Sequence, residues 1–116
     1  MIKEEFQELI DKAVASNILI IVEGKKDREA LQKLGISNIT ELSKKPLYQV
    51  VEEASNASSE CAILTDLDRK GKEIYGKLNS QLQRNGVKID NKLRNFLFNH
   101  TKVRQIEGLT AYFKYH

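Results

Sequence analysis

Two short stretches of this chain are apolar at nearly every position: Ile18-Leu19-Ile20-Ile21-Val22 and Cys61-Ala62-Ile63-Leu64-Thr65. A strand with one wet face alternates apolar and polar side chains, whereas a strand covered on both faces has no reason to. Runs this short, bounded by polar residues, therefore predict two strands inside a sheet that helices cover on both sides. The sequence around them supplies those helices. Ile2, Phe6, Leu9, Ile10, Ala13 and Val14 recur at spacings of 4, 3, 1, 3 and 1, one face of an amphipathic helix that Ser16-Asn17 breaks. Residues 26–34 turn Ala30, Leu31 and Leu34 inward and stop at Gly35, a residue suited to the left-handed turn after a helix. Pro46 opens a third helix, with Leu47, Val50, Val51 and Ala54 on its inner face. Ile74, Tyr75, Leu78 and Leu82 mark a fourth, closing at Asn85-Gly86, and Asp90 or Asn91 caps a fifth carrying Leu93, Phe96 and Leu97. Shorter strands are expected within 36–42 and at 103–106, while Val87-Lys88-Ile89 is short and ambiguous. A terminal helix is expected over 108–116 with Leu109, Tyr112 and Phe113 inward.

Strands alternating with helices imply an α/β fold with a parallel sheet between two helical layers, linked by right-handed crossovers. At 116 residues the chain is expected to be one domain: an N-terminal helix (1–16), a core (17–90), and a helix, strand and short tail (91–116). One cysteine excludes a disulfide framework and a cysteine-rich zinc site, and two histidines leave little for a histidine metal site. The longest aliphatic run is far short of the roughly 20 residues a spanning helix needs, and acids stand near the start where a signal peptide is apolar. The expectation is a soluble cytoplasmic protein with no membrane partner.

Both aliphatic runs end in carboxylates. The first gives Val22-Glu23-Gly24 and the second Thr65-Asp66-Leu67-Asp68. Ligands of parallel sheets bind beyond the carboxyl ends of the strands. If the two strands are neighbours, Glu23 faces Asp66 and Asp68. Three carboxylates so close repel one another and stay together only when protonated or bridged by a cation. Magnesium takes hard oxygen ligands, commonly one or two carboxylates completed by water and phosphate oxygens. Glycine follows each acidic end, Gly24 and Gly71, and cations flank both turns: Lys25, Lys26 and Arg28 on one, Arg69, Lys70 and Lys72 on the other. The pattern points to a divalent metal open to a phosphate. Acids at strand ends also cap helices, and Asp27 stands at a helix start where that alternative is strong.

Other chemistries find no support. There is no GxxxxGK[ST], no GxGxxG after a strand, and the phosphatase pattern fails at Lys70. Cys61 lies inside an aliphatic strand and reads as a buried thiol. His100 reads as a surface histidine, and Tyr75 and Tyr112 fit helix core faces. Charge is uneven: residues 1–58 hold 8 Lys/Arg against 10 Asp/Glu, and residues 59–116 hold 11 against 6. Arg84, Lys88, Lys92, Arg94, Lys102 and Arg104 fall in one stretch with a single acid, Asp90. Such a half suits a polyanion, and equally suits exposed helices coated with cations. Phe96 lies on an inner face, so base stacking is expected to add little.

The segments IIVEGKKDREAL and AILTDLDRKGKEI together resemble the Toprim domain, shared by bacterial-type primases, topoisomerases, OLD nucleases and a small ribonuclease that matures ribosomal RNA. The family pattern is Glu-Gly after one strand and Asp-x-Asp-x-x-Gly after another, here Glu23-Gly24 and Asp66 to Gly71, and Asp27 matches a further acid often seen after the first. The tail is similar to that of small stand-alone Toprim proteins. The resemblance implies a Rossmann-like, mainly parallel four-stranded sheet. It implies Glu23 as general acid or base in phosphodiester transfer, Asp66 and Asp68 as holders of Mg²⁺ (Mn²⁺ substituting), and RNA or DNA as the partner. Glu23, Asp66 and Asp68 are then both catalytic and metal-binding. Gly24, Lys25, Lys26, Arg69, Lys70, Gly71, Lys72, Lys88, Lys92 and Arg94 are the phosphate contacts. The substrate-choosing domains of the larger members are absent from this sequence. Three expectations follow: a nuclease or nucleotidyl transferase, a non-catalytic nucleic-acid or nucleotide-binding module, or an accessory subunit working with a protein partner or as a homodimer.

Overall fold

The computed structural model describes residues 2–109. Its elements are α1 (Ile2–Ser16), β1 (Leu19–Val22), α2 (Lys25–Gln32), β2 (Ile39–Glu41), α3 (Leu47–Ala57), β3 (Glu60–Ile63), α4 (Arg69–Arg84), β4 (Lys88–Ile89), α5 (Lys92–His100) and a 3₁₀ turn (Ile106–Gly108). The four strands form one parallel sheet in the order β2-β1-β3-β4, with Ile20 between Ile39 and Ala62 and with Cys61 opposite Ile89. The two aliphatic runs are the two inner strands, as their two-sided apolarity requires.

Alternation along those strands divides the core. Leu19, Ile21, Cys61 and Ile63 face α3 and α4, which bury Val50, Val51, Ala54, Leu78 and Leu82. Ile20, Val22, Ala62 and Leu64 face the other layer, where α1 contributes Phe6 and Ile10, α2 Leu31, and α5 Leu93, Phe96 and Leu97. The chain is thus a three-layer α/β fold. Helix ends fall where the sequence placed their signals: Gly35 and Gly86 take φ of +93° and +80°, and Asn17 takes +53°. Asp90 Oδ1 accepts from the Lys92 N–H at 2.9 Å at the start of α5. Among the described residues no helix is long and apolar enough to cross a membrane.

The strand expected at 103–106 does not form. Thr101 ends α5 by donating its hydroxyl to the Leu97 carbonyl at 2.9 Å and accepting from the Val103 N–H at 3.1 Å. Val103 and Ile106 then drop into the core beside α5, three residues apart where one face of a strand would take every second residue. Their backbone meets no ladder: the Arg104 carbonyl accepts from the Leu67 N–H at 2.6 Å, and the Ile106 N–H goes to a side chain, Asp66 Oδ1, at 2.9 Å. The helix expected over 108–116 lies, from residue 110 on, outside the described residues.

The β3–α4 loop is clamped from behind. The buried Arg94 guanidinium donates to the Thr65 carbonyl at 2.7 Å and to Thr65 Oγ1 at 3.2 Å, and packs 4.4 Å from the centre of the Tyr75 ring. The Thr65 hydroxyl donates to the Gly71 carbonyl at 2.7 Å, and the Gly71 N–H donates to Asp68 Oδ1 at 2.8 Å, capping α4. Gly71 lies against the Asp66 backbone so closely that a Cβ would sit 2.0 Å from the Asp66 carbonyl oxygen. Gly71→Ala should therefore cost about 3 kcal/mol, because backbone meets backbone and no rotamer relieves it. Ile20→Ala, emptying a site at the sheet centre, should cost roughly 2–5 kcal/mol. Urea unfolding midpoints check both, and a Gly71→Ala protein as stable as wild type would refute the close-packed loop.

Candidate metal centre at the carboxyl edge of the sheet

Parallel pairing of β1 with β3 brings their two acidic ends side by side. Glu23 follows β1 and Asp66 follows β3 by three residues. Glu23 Oε2 accepts from the Asp66 N–H at a long 3.4 Å. Asp27 enters from the first turn of α2, reaching back so that its Oδ2 accepts from the Gly24 N–H at 3.0 Å. One carboxylate oxygen from each of Glu23, Asp27 and Asp66 lies within 4.8 Å of the others.

Burial comes first among the reasons Glu23 titrates high. Partial removal from water, then the neighbouring Asp66 and Asp27 carboxylates, push it from 4.5 up to about 7. Asp27 is raised too, by burial and then by Asp66. The three acids therefore share less than three negative charges near neutral pH unless a cation joins them. Behind them Arg94 is the buried cation, and its charge is disfavoured by burial and favoured by Tyr75, Glu23 and Asp66.

The acids floor a cleft of about 680 Å³ whose lining includes Lys25, Lys26, Lys45 and Lys70, with Leu42, Leu47 and Ile74 as an apolar wall. Asp68 lines the same cleft, but its Oδ1 is committed to the cap of α4, and it is not one of the three clustered oxygens. The site's third clustered acid is Asp27, which sequence reasoning left between a cap and a functional residue. It is both, since the spacing Gly24-x-x-Asp27 lets a carboxylate in the first turn fold back over the strand end. Gly24 has no atom within 4 Å of where a Cβ would stand, and its φ of −149° is open to any residue, so the space before it is free.

The expected phosphate contacts separate into groups. Lys25, Lys26 and Lys70 line the cleft. Arg69 and Lys72 stand exposed on the first turn of α4, Arg69 3.4 Å from Glu73. Lys88 is 3.9 Å from Glu60, and Lys92 lines a different pocket with Leu9, Lys12 and Ala62. Arg94, counted from sequence among the surface cations, is buried as the loop clamp, so it is unavailable to a polyanion. A guanidinium two residues from Lys92 in a basic stretch gives no sign of this, because burial depends on Thr65 and Tyr75 packing against it. Cys61 is buried with its thiol pushed up by burial, and His100 is exposed, as both were read from sequence.

The Toprim domain family matches residues 18–106. The UPF0292 protein of Methanocaldococcus jannaschii is 32% identical over 94% of this chain and 92% of its own length. The UPF0292 protein of Pyrococcus abyssi is 44% identical over 79% and 70%. A solved structure of a protein from Aquifex aeolicus superposes with a TM-score of 0.80 at 34% identity, covering 90% of this chain and 94% of that one. The family match spans both acidic strand ends and the loop that follows each. With the parallel sheet bringing those ends into one cluster, the chain belongs to the Toprim domain family.

Proposed function

We propose that this protein carries out divalent-metal-dependent phosphodiester chemistry on nucleic acid, as a nuclease or nucleotidyl transferase, with Mg²⁺ as the metal and Mn²⁺ able to substitute. The observation that carries this reading is the Glu23–Asp27–Asp66 cluster at the floor of a lysine-rimmed cleft. The donors fit the ion: they are hard carboxylate oxygens, open on the cleft side, and their mutual repulsion is what a cation relieves. When bound, the cation supplies electrostatic stabilisation of charge developing on phosphate oxygens.

Asp27 and Asp66 would hold it, since a backbone N–H already aims each carboxylate. Asp68 has one oxygen in its cap and the other without a hydrogen bond among the described residues, so it is the candidate for an outer ligand. Glu23 titrates near neutral pH and is suited to give or take a proton at the attacking or leaving oxygen. Lys25, Lys26 and Lys70 hold flanking phosphates, and Gly24 leaves room for one to approach the start of α2.

Two tests follow. A ligand of the folded state alone raises the melting temperature, so millimolar Mg²⁺ or Mn²⁺ should do so. Glu23 is raised in the folded state, so it favours folding while protonated. That contribution is present below about 4.5 and is lost as pH rises through about 7. Glu23→Gln should therefore stabilise the metal-free protein increasingly between those two pH values, and the metal-induced shift in wild type should grow over the same window. Asp27→Asn should abolish more of the metal response than Asp68→Asn, and the reverse order would put the ion on the Asp66–Asp68 pair. Labelled RNA and DNA incubated with and without Mg²⁺ or Mn²⁺ test the chemistry itself. Metal-dependent cleavage or transfer lost in Glu23→Gln supports the reading. Metal-dependent binding with no product at any protein concentration would leave a binding module.

A further inference from the structure

Phe98 lies on the outer side of α5, beyond the inward Phe96 and Leu97, and is 47% exposed. Two cations sit against its ring. The Lys72 ammonium is 5.0 Å from the ring centre and the Arg104 guanidinium 5.9 Å. Arg104 is fixed, donating to the Thr101 and Val103 carbonyls at 3.1 and 3.0 Å. Lys72 is exposed; its backbone N–H donates to the Asp68 carbonyl at 2.9 Å, while its ammonium makes no ion pair or hydrogen bond among the described residues.

The patch adjoins the acidic cluster through the backbone. The Arg104 carbonyl accepts from the Leu67 N–H at 2.6 Å, and Leu67 follows Asp66 directly. Lys72 follows Gly71, whose N–H caps onto Asp68. One chain of contacts thus links an exposed aromatic ring, two positive charges and the carboxylates of the cleft.

We propose that Phe98, flanked by Lys72 and Arg104, is a stacking platform for an unpaired nucleobase. It would make single-stranded nucleic acid the substrate class of the adjoining cleft, a step that rests on the function proposed above. The half-exposed ring offers a base the face that the Lys72 ammonium, held by no ion pair or hydrogen bond among the described residues, now overlies, and the two cations offer charge to the neighbouring phosphates. A duplex keeps its bases stacked on one another and has none to give. An acidic peptide satisfies the cations but leaves the ring unused.

The test compares a short labelled oligothymidylate with its abasic analogue of equal length, by fluorescence anisotropy in metal-free buffer. Wild type should bind the base-containing strand about 5- to 150-fold more tightly, the worth of one stacked base. Phe98→Ala and Phe98→Leu should remove that difference, and Phe98→Trp should keep it. Lys72→Gln should weaken both strands alike and reduce the salt slope by about 0.7. Equal affinity of wild type for both strands would overturn the platform. So would a base preference that survives Phe98→Ala, or an acidic peptide binding as tightly as the strand. The outcome is separable from the chemistry of the cleft. A base preference that disappears in Phe98→Ala upholds the platform even in a protein that cleaves nothing. Metal-dependent cleavage with Phe98→Ala unchanged in discrimination removes the platform and leaves the chemistry.

Discussion

Glu23, Asp27 and Asp66 are held together against their own repulsion, and much of the carboxyl edge is arranged around that constraint. Each acid has a backbone donor: Gly24 for Asp27, Ile106 for Asp66, and at longer range Asp66 for Glu23. A charge-assisted hydrogen bond of this kind fixes an oxygen in place and offsets part of the cost of taking the group from water. What is left over appears in Glu23, pushed up to about 7. The repulsion is relieved by positive charge: a proton below that pH and, on the function proposed above, a divalent cation above it.

Holding Asp66 still requires support from three directions. Behind the loop, Arg94 grips Thr65, and Thr65 grips Gly71. Beneath it, Gly71 lies too near the Asp66 carbonyl for any side chain to intervene. In front, the chain after α5 supplies the Ile106 N–H and takes the Leu67 N–H on Arg104. The segment 101–108 looks like a connection in the element order, yet it completes the acidic centre. Its failure to become a fifth strand has the same origin, since the donor that would enter a ladder is spent on Asp66.

How much of this the sequence discloses depends on range. β1 and β3 are legible because a strand covered on both faces must be apolar throughout, and five consecutive residues suffice to show it. β4, two residues long, carries no periodicity and exists because Lys88 and Ile89 find Glu60 and Cys61 beside them. Glu23 and Asp66 are legible because strand ends and family spacing coincide. Asp27 against Asp68 is not, since whether a helix-start carboxylate folds inward or caps depends on which N–H groups lie near. Arg94 and Phe98 show the same limit from opposite sides. A basic residue is buried by partners 29 and 19 positions away, and an aromatic beside two core residues is turned outward.

That outward turn bears on selectivity. α5 is pinned by its inner face, with Phe96 packed 6.1 Å from Phe6 and Leu97 fully buried. The helical rotation between positions 97 and 98 then leaves the next ring in solvent whether or not it has a use. An exposed aromatic alone needs no explanation. Cations beside its ring are different, because the Lys72 ammonium lies 5.0 Å from the ring centre and Arg104 is tied down by two carbonyls. The same carbonyl bonds that fix Arg104 fix the segment that aims Asp66. On the function and the platform proposed above, a ligand held at this patch would press on residues 101–106, the same segment whose Ile106 N–H aims Asp66.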